Sequence, residues 1–132
     1  MIDELIFKCE DVDPDYDYPE KFKEVVDKIA DYFEKKLGIS FQEEEEENYI
    51  QAIDIYDCYH ISYIAPMKDN TYKMIIRVPF DQFQIFIANS EEEDVIVNYC
   101  DIDIDQYTQE NLDFIRNTII EFEKQLNALL TK

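Results

Sequence analysis

The chain has 132 residues, 46% hydrophobic and 14% aromatic, which suits one compact domain that needs no disulfide or metal to hold its core. Thirty-two Asp and Glu against twelve Lys and Arg leave a formal charge of −20, which argues against nucleic acid or an anionic membrane as a direct ligand. No run reaches the roughly 18 apolar residues of a transmembrane helix, and the start MIDELIFKCEDVD has neither the basic region nor the long apolar stretch of a secretory signal.

Residues 1–18 read as an acidic, irregular N-terminal segment around the short apolar run Leu5-Ile6-Phe7. Pro19 then stands at a first helical position, and Phe22, Val25, Val26, Ile29, Phe33 and Leu37 recur at helical spacing. Gly38, the only glycine, falls where a helix end wants a left-handed residue, so a helix is predicted over 19–37. From Ile39 to Asp105 the vocabulary turns to alternating Ile, Val, Tyr and Phe. Strands are predicted over 39–44, over 49–65 as one bent strand or two, and over 72–78, 83–88 and 95–104. Their short connections favour antiparallel neighbours, with turns built on Asn, Asp and Pro. Thr108 caps a closing helix whose Leu112, Ile115, Ile119, Phe122, Leu126 and Leu129 form one narrow apolar stripe. The whole is expected to be a single α+β domain spanning 1–132: an antiparallel sheet of four to five strands flanked by an N-terminal and a long C-terminal helix.

Charge is distributed unevenly. Residues 1–18 carry a net −6, residues 19–37 balance to zero, and residues 39–123 carry −16. A domain of this length is roughly 36 Å across, and duplex DNA carries about 20 charges over a similar length. Such a field favours basic clefts and speeds association with them.

Most catalytic signatures are absent from the sequence. One glycine cannot build a phosphate-cradling loop, and one histidine cannot build a zinc protease helix. Cys58 and His60 would share a strand face, but Asp54 and Asp57 nearby would raise a thiol's pKa rather than activate it. Cys9, Cys58 and Cys100 read as reduced thiols of a cytoplasmic protein. Asp13, Asp15, Asp17 and Glu24 imitate a calcium loop, yet Tyr18 stands where that loop requires glycine. No cofactor and no metal site is expected.

The binding candidates are acidic. Glu43, Glu44, Glu45, Glu46 and Glu47 form one run, and Glu91, Glu92, Glu93 and Asp94 another. Asp54 and Asp57 lie between them, and Asp101, Asp103 and Asp105 alternate with Ile102 and Ile104. On a strand those three carboxylates would share one face about 6.8 Å apart. Acidic runs are ordinarily solvated turns, but a regular row of negative charge also fits a basic groove. Tyrosines 49, 56, 59, 63, 72, 99 and 107 are interleaved with the acids and divide between core packing and contact surface.

The charge pattern resembles that of small acidic inhibitors such as phage-encoded DNA-mimic anti-restriction or anti-CRISPR proteins, a resemblance of composition that transfers no residue roles. It implies a non-enzymatic protein that blocks the basic groove of a nucleic-acid-binding protein or nuclease. An immunity protein neutralising a nuclease toxin is the near alternative. A secretion-type chaperone, similar in size, acidity and helix-flanked sheet, is the more distant one. It would expose apolar rather than acidic surface and would dimerise; the sequence itself leaves the oligomeric state open.

Overall fold

The computed structural model describes residue 7 and residues 18–43, 60–68, 70–79, 82–91, 93–103 and 106–131. Helix α1 (Tyr18–Leu37) leads into a short β1 (Gln42–Glu43), then β2 (His60–Met67), β3 (Tyr72–Pro79), β4 (Gln82–Asn89), β5 (Asp94–Asp101) and helix α2 (Gln109–Leu130). The five strands form one antiparallel sheet in the order β1-β2-β3-β4-β5, and from β2 onward the short links lead each strand to its antiparallel neighbour. The molecule is thus the expected α+β domain, with the two helices flanking the sheet.

Local chemistry sets the helix ends. Gly38 takes φ +66° and its N–H donates to the Glu34 carbonyl at 2.9 Å, so the only glycine sits where a left-handed residue must. The Phe41 N–H then donates to Glu34 Oε2 at 2.8 Å, which ties the outgoing chain back to α1, so β1 begins at Gln42 rather than at the predicted Ile39. Thr108 caps α2 as expected, its hydroxyl accepting from the Asn111 N–H at 3.2 Å.

Both helices lie on one face of the sheet. Phe22, Val26, Ile29 and Phe33 of α1 and Leu112, Ile115, Ile119, Phe122 and Leu126 of α2 bury against Met74, Ile76, Val78, Phe83, Ile85, Ile87 and Ile96. Phe33 meets Phe122 edge to face at 5.7 Å and joins the two helices, and Phe22 meets Tyr107, just before α2, at 5.5 Å. Glu123, 7% exposed, accepts from the Tyr32 hydroxyl at 2.7 Å and pairs with Lys36, so its buried charge is matched across the helix pair.

Strand β5 ends earlier than the predicted 95–104. Ile102 turns into the core at 5% exposure, and the chain then folds on itself, with the Gln106 N–H donating to the Asp103 carbonyl at 3.0 Å. Asn111 Nδ2 donates to the carbonyls of Asp103 and Gln106 at 3.2 and 2.8 Å and holds that connection against the start of α2. The acidic N-terminal segment before Tyr18, apart from Phe7, and most of the predicted 49–65 strand lie outside the described residues.

Candidate interaction surface

Neither helix packs on the second face of the sheet, where Ser62 and Ile75 are nonetheless buried. Strand register stacks Ser62, Arg77, Gln84 and Tyr99 in one row across that face, and Ile64, Ile75, Phe86 and Val97 in the next. The Arg77 guanidinium lies 5.1 Å over the Phe86 ring, its Nε buried without a hydrogen-bond partner. A groove of about 380 Å³ opens beside it, walled by Arg77, Gln84, Phe86, Val97 and Tyr99.

Strand β5 is an edge strand, bonded to β4 on one side, with no strand on its other side among the described residues. Its register slips beside Ile87 and Ala88: Ile87 faces Ile96 and Ala88 faces Asp94, so Val95 is an extra residue in a bulge. Val95, Val97 and Tyr99 are 42%, 51% and 62% exposed, high values for apolar side chains on a strand. A second groove of about 410 Å³ runs between this edge and α2, walled by Val95, Ile96, Val97, Gln125, Ala128 and Leu129. Asn98 anchors the strand to the helix, its Nδ2 donating to Gln125 Oε1 at 2.8 Å. Cys100 is half-buried; burial and the Asp101 charge raise its thiol pKa, opposed by hydrogen bonds to Thr118 and the Phe83 backbone.

Carboxylates sit at both ends of this apolar strand. Glu91, Glu93 and Asp94 are exposed at the β4–β5 turn, where Asn89 Oδ1 accepts from the N–H groups of Glu91 and Glu93 at 2.9 Å each and closes a turn without glycine. Asp101 and Asp103 are exposed at the far end, about 23 Å away along the strand, and Gln82 Nε2 donates to Asp101 Oδ1 at 3.1 Å. Asp103 has left the strand, so the expected strand-borne row is broken after Asp101. Glu43 is exposed on β1 at the opposite edge of the sheet. Glu44, Glu45, Glu46, Glu47, Asp54, Asp57, Glu92 and Asp105 lie outside the described residues, as do Cys58 and the Asp13, Asp15 and Asp17 set.

Of the tyrosines, Tyr107 is core, Tyr63 is half-buried with its hydroxyl donating to Asp27 Oδ1 at 2.6 Å, and Tyr99 projects into solvent. Sequence reasoning passed over Val95 and Val97, although the run Val95-Ile96-Val97 is apolar on both faces and signals a strand with something to cover on each. Among the described residues no group of three His, Cys, Asp or Glu is placed to hold a metal ion, and no helix is long and apolar enough to cross a membrane. Compared with protein-family models, curated proteins and solved structures, the chain matches none of them.

Proposed function

We propose that this protein is a non-enzymatic acidic binding protein that occupies the basic groove of a nucleic-acid-binding protein or nuclease and so keeps nucleic acid out. One observation carries the reading: exposed carboxylates at the two ends of β5 bracket an exposed apolar stretch, Val95, Val97 and Tyr99. An apolar centre with a charged rim is the usual anatomy of a protein-binding surface, and Tyr and Arg are the side chains on which binding energy concentrates. With a net charge of −20, the complementary partner is basic. Restriction or CRISPR nucleases and nuclease toxins all fit that chemistry, so anti-defence and immunity roles are two settings of one mechanism. The exposed apolar residues of β5 also favour a chaperone-like holder of extended chains, which salt would affect far less.

The test is capture of the partner from host lysate at low and high salt, followed by competition with duplex DNA and with RNA. Capture should fall steeply with salt, and nucleic acid should displace the protein. Changing Asp94 and Asp101 together to Asn should weaken binding at least about tenfold, since close interfacial charge pairs couple by roughly 1.5–7 kcal/mol. Asp31→Asn, on α1 near Tyr63 of β2, should change little, because an exposed charge away from the contact is worth under about 1 kcal/mol. A partner that holds its nucleic acid and this protein together, with neither affinity altered, would overturn the reading.

A further inference from the structure

We infer that the outer edge of β5 is a strand-addition site, where an extended segment of a basic protein joins the sheet as its sixth strand. This rests on the reading that the partner is basic and adds how the partner is held. Beyond the Val95 bulge, Ile96–Asp101 runs as six regular residues whose alternate N–H and C=O groups face away from β4, with no described strand to receive them. Natural edges are ordinarily blunted by lysine, proline, a bulge or short length; here the bulge is confined to Val95 near the strand's start, and Ile96–Asp101 holds neither lysine nor proline. An added strand lies about 4.8 Å from β5. Its side chains on one face would lie beside Val97 and Tyr99, and those on the other would enter the groove against Gln125, Ala128 and Leu129 of α2.

Charge selects the occupant. Six extended residues span about 20 Å, so basic residues just beyond each end of an apolar segment reach Glu93 and Asp94 at one end and Asp101 and Asp103 at the other. A second copy of this chain is a poor occupant. Antiparallel pairing along the whole strand sets Asp94 of each copy against Asp101 of the other, and like charges directly opposite destabilise a strand pair. Each copy also brings a net charge of −20. The fitting segment therefore alternates apolar and small polar residues and carries Lys or Arg at both ends, a mode in which main-chain hydrogen bonds supply affinity and side chains supply selection.

The test uses the whole protein and a synthetic peptide with alternating Val and Thr at six central positions and two lysines at each end. A companion peptide of the same sequence is N-methylated at all six central residues, which removes its backbone donors while keeping its charge. The unmodified peptide should bind at least about tenfold tighter than the methylated one, since each net hydrogen bond lost costs roughly threefold to tenfold. Its binding should slow amide hydrogen exchange in residues 96–101. Equal affinity of the two peptides, or slowed exchange elsewhere, overturns the edge site and leaves the basic-partner reading standing. Absence of binding by either peptide at low salt overturns this inference, whereas the basic-partner reading stands or falls on the capture and competition experiment. A peptide-free dimer in sedimentation, with exchange slowed in 96–101, would assign the edge to a second copy and also overturn the inference.

Discussion

Tyr63 shows how an acidic molecule puts single carboxylates to structural use. It belongs to β2, and its hydroxyl crosses to α1 to donate to Asp27, so a helix from the charge-neutral segment is pinned to the sheet by one of its acids. Asp27 is therefore no inert surface charge, although its position in a balanced helix suggests one. Burial, the bond to Asp27 and then the charges of Asp27, Glu43 and Asp31 push the Tyr63 pKa well above its ordinary 10.0. A folded pKa above the unfolded value means that this contribution is fully present below about pH 10 and is lost as pH rises through the folded value. Tyr63→Phe is expected to lower stability by about 1 kcal/mol or less at pH 8, measured by urea denaturation. The deficit should shrink as the parent protein loses its own share above pH 10. A deficit constant to pH 11 would show that the phenol is not held neutral by its surroundings.

At the scale of elements, the helices were legible because their signals are redundant. Pro19, Gly38 and Thr108 mark ends, and the 3.6-residue periodicity names the buried face correctly at Phe22, Val26, Ile29, Phe33, Leu112, Ile115, Ile119, Phe122 and Leu126. Strands gave way at their ends, where periodicity says least. The strand predicted from Ile39 starts only at Gln42 because a side chain seven residues back captures the Phe41 N–H, a contact no local pattern announces. The Asp101-Ile102-Asp103-Ile104-Asp105 alternation imitates a strand perfectly in sequence, yet Ile102 is drawn into the core and Asn111 of α2 grips the Asp103 carbonyl. The candidate site was legible in half: the acids at the ends of β5 were named, whereas the apolar middle was not. Its polar member Asn98 faces the helix and its apolar members Val97 and Tyr99 face solvent, which inverts the inside-out rule. Packing of α2 is tested by Ile119→Asp, which places an unpaired charge at a residue 0% exposed and should cost at least about 4 kcal/mol. Asn117→Asp, two residues earlier and exposed, should stay within about 0.5 kcal/mol. Thermal unfolding of both variants reads the contrast, and equal midpoints would mean that the stripe is not the packed face.

For the whole molecule, the decisive quantity is how far apart the excess charges lie. An accessible surface of 8169 Å² shared among twenty net negative charges leaves about 400 Å² for each, a mean spacing near 20 Å. The screening length is about 30 Å at 0.01 M salt and about 10 Å at 0.1 M, so the spacing falls between the two. Self-repulsion should thus act across the folded surface in dilute buffer and be largely screened at 0.1 M. An unfolded chain relaxes that repulsion by expanding, so repulsion lowers folding stability. The melting temperature is expected to climb between about 0.01 and 0.1 M sodium chloride and then flatten; for a domain of this size each kcal/mol recovered is worth about 3–6 °C. Binding of the proposed basic partner should weaken over the same interval, because the field that strains the fold is the one that would attract it. Opposite slopes of stability and affinity against salt, measured by scanning calorimetry and titration calorimetry in matched buffers, are the expected signature. A melting temperature that does not change below 0.1 M would mean that the acids are locally neutralised, and a field so quenched could not steer a partner either.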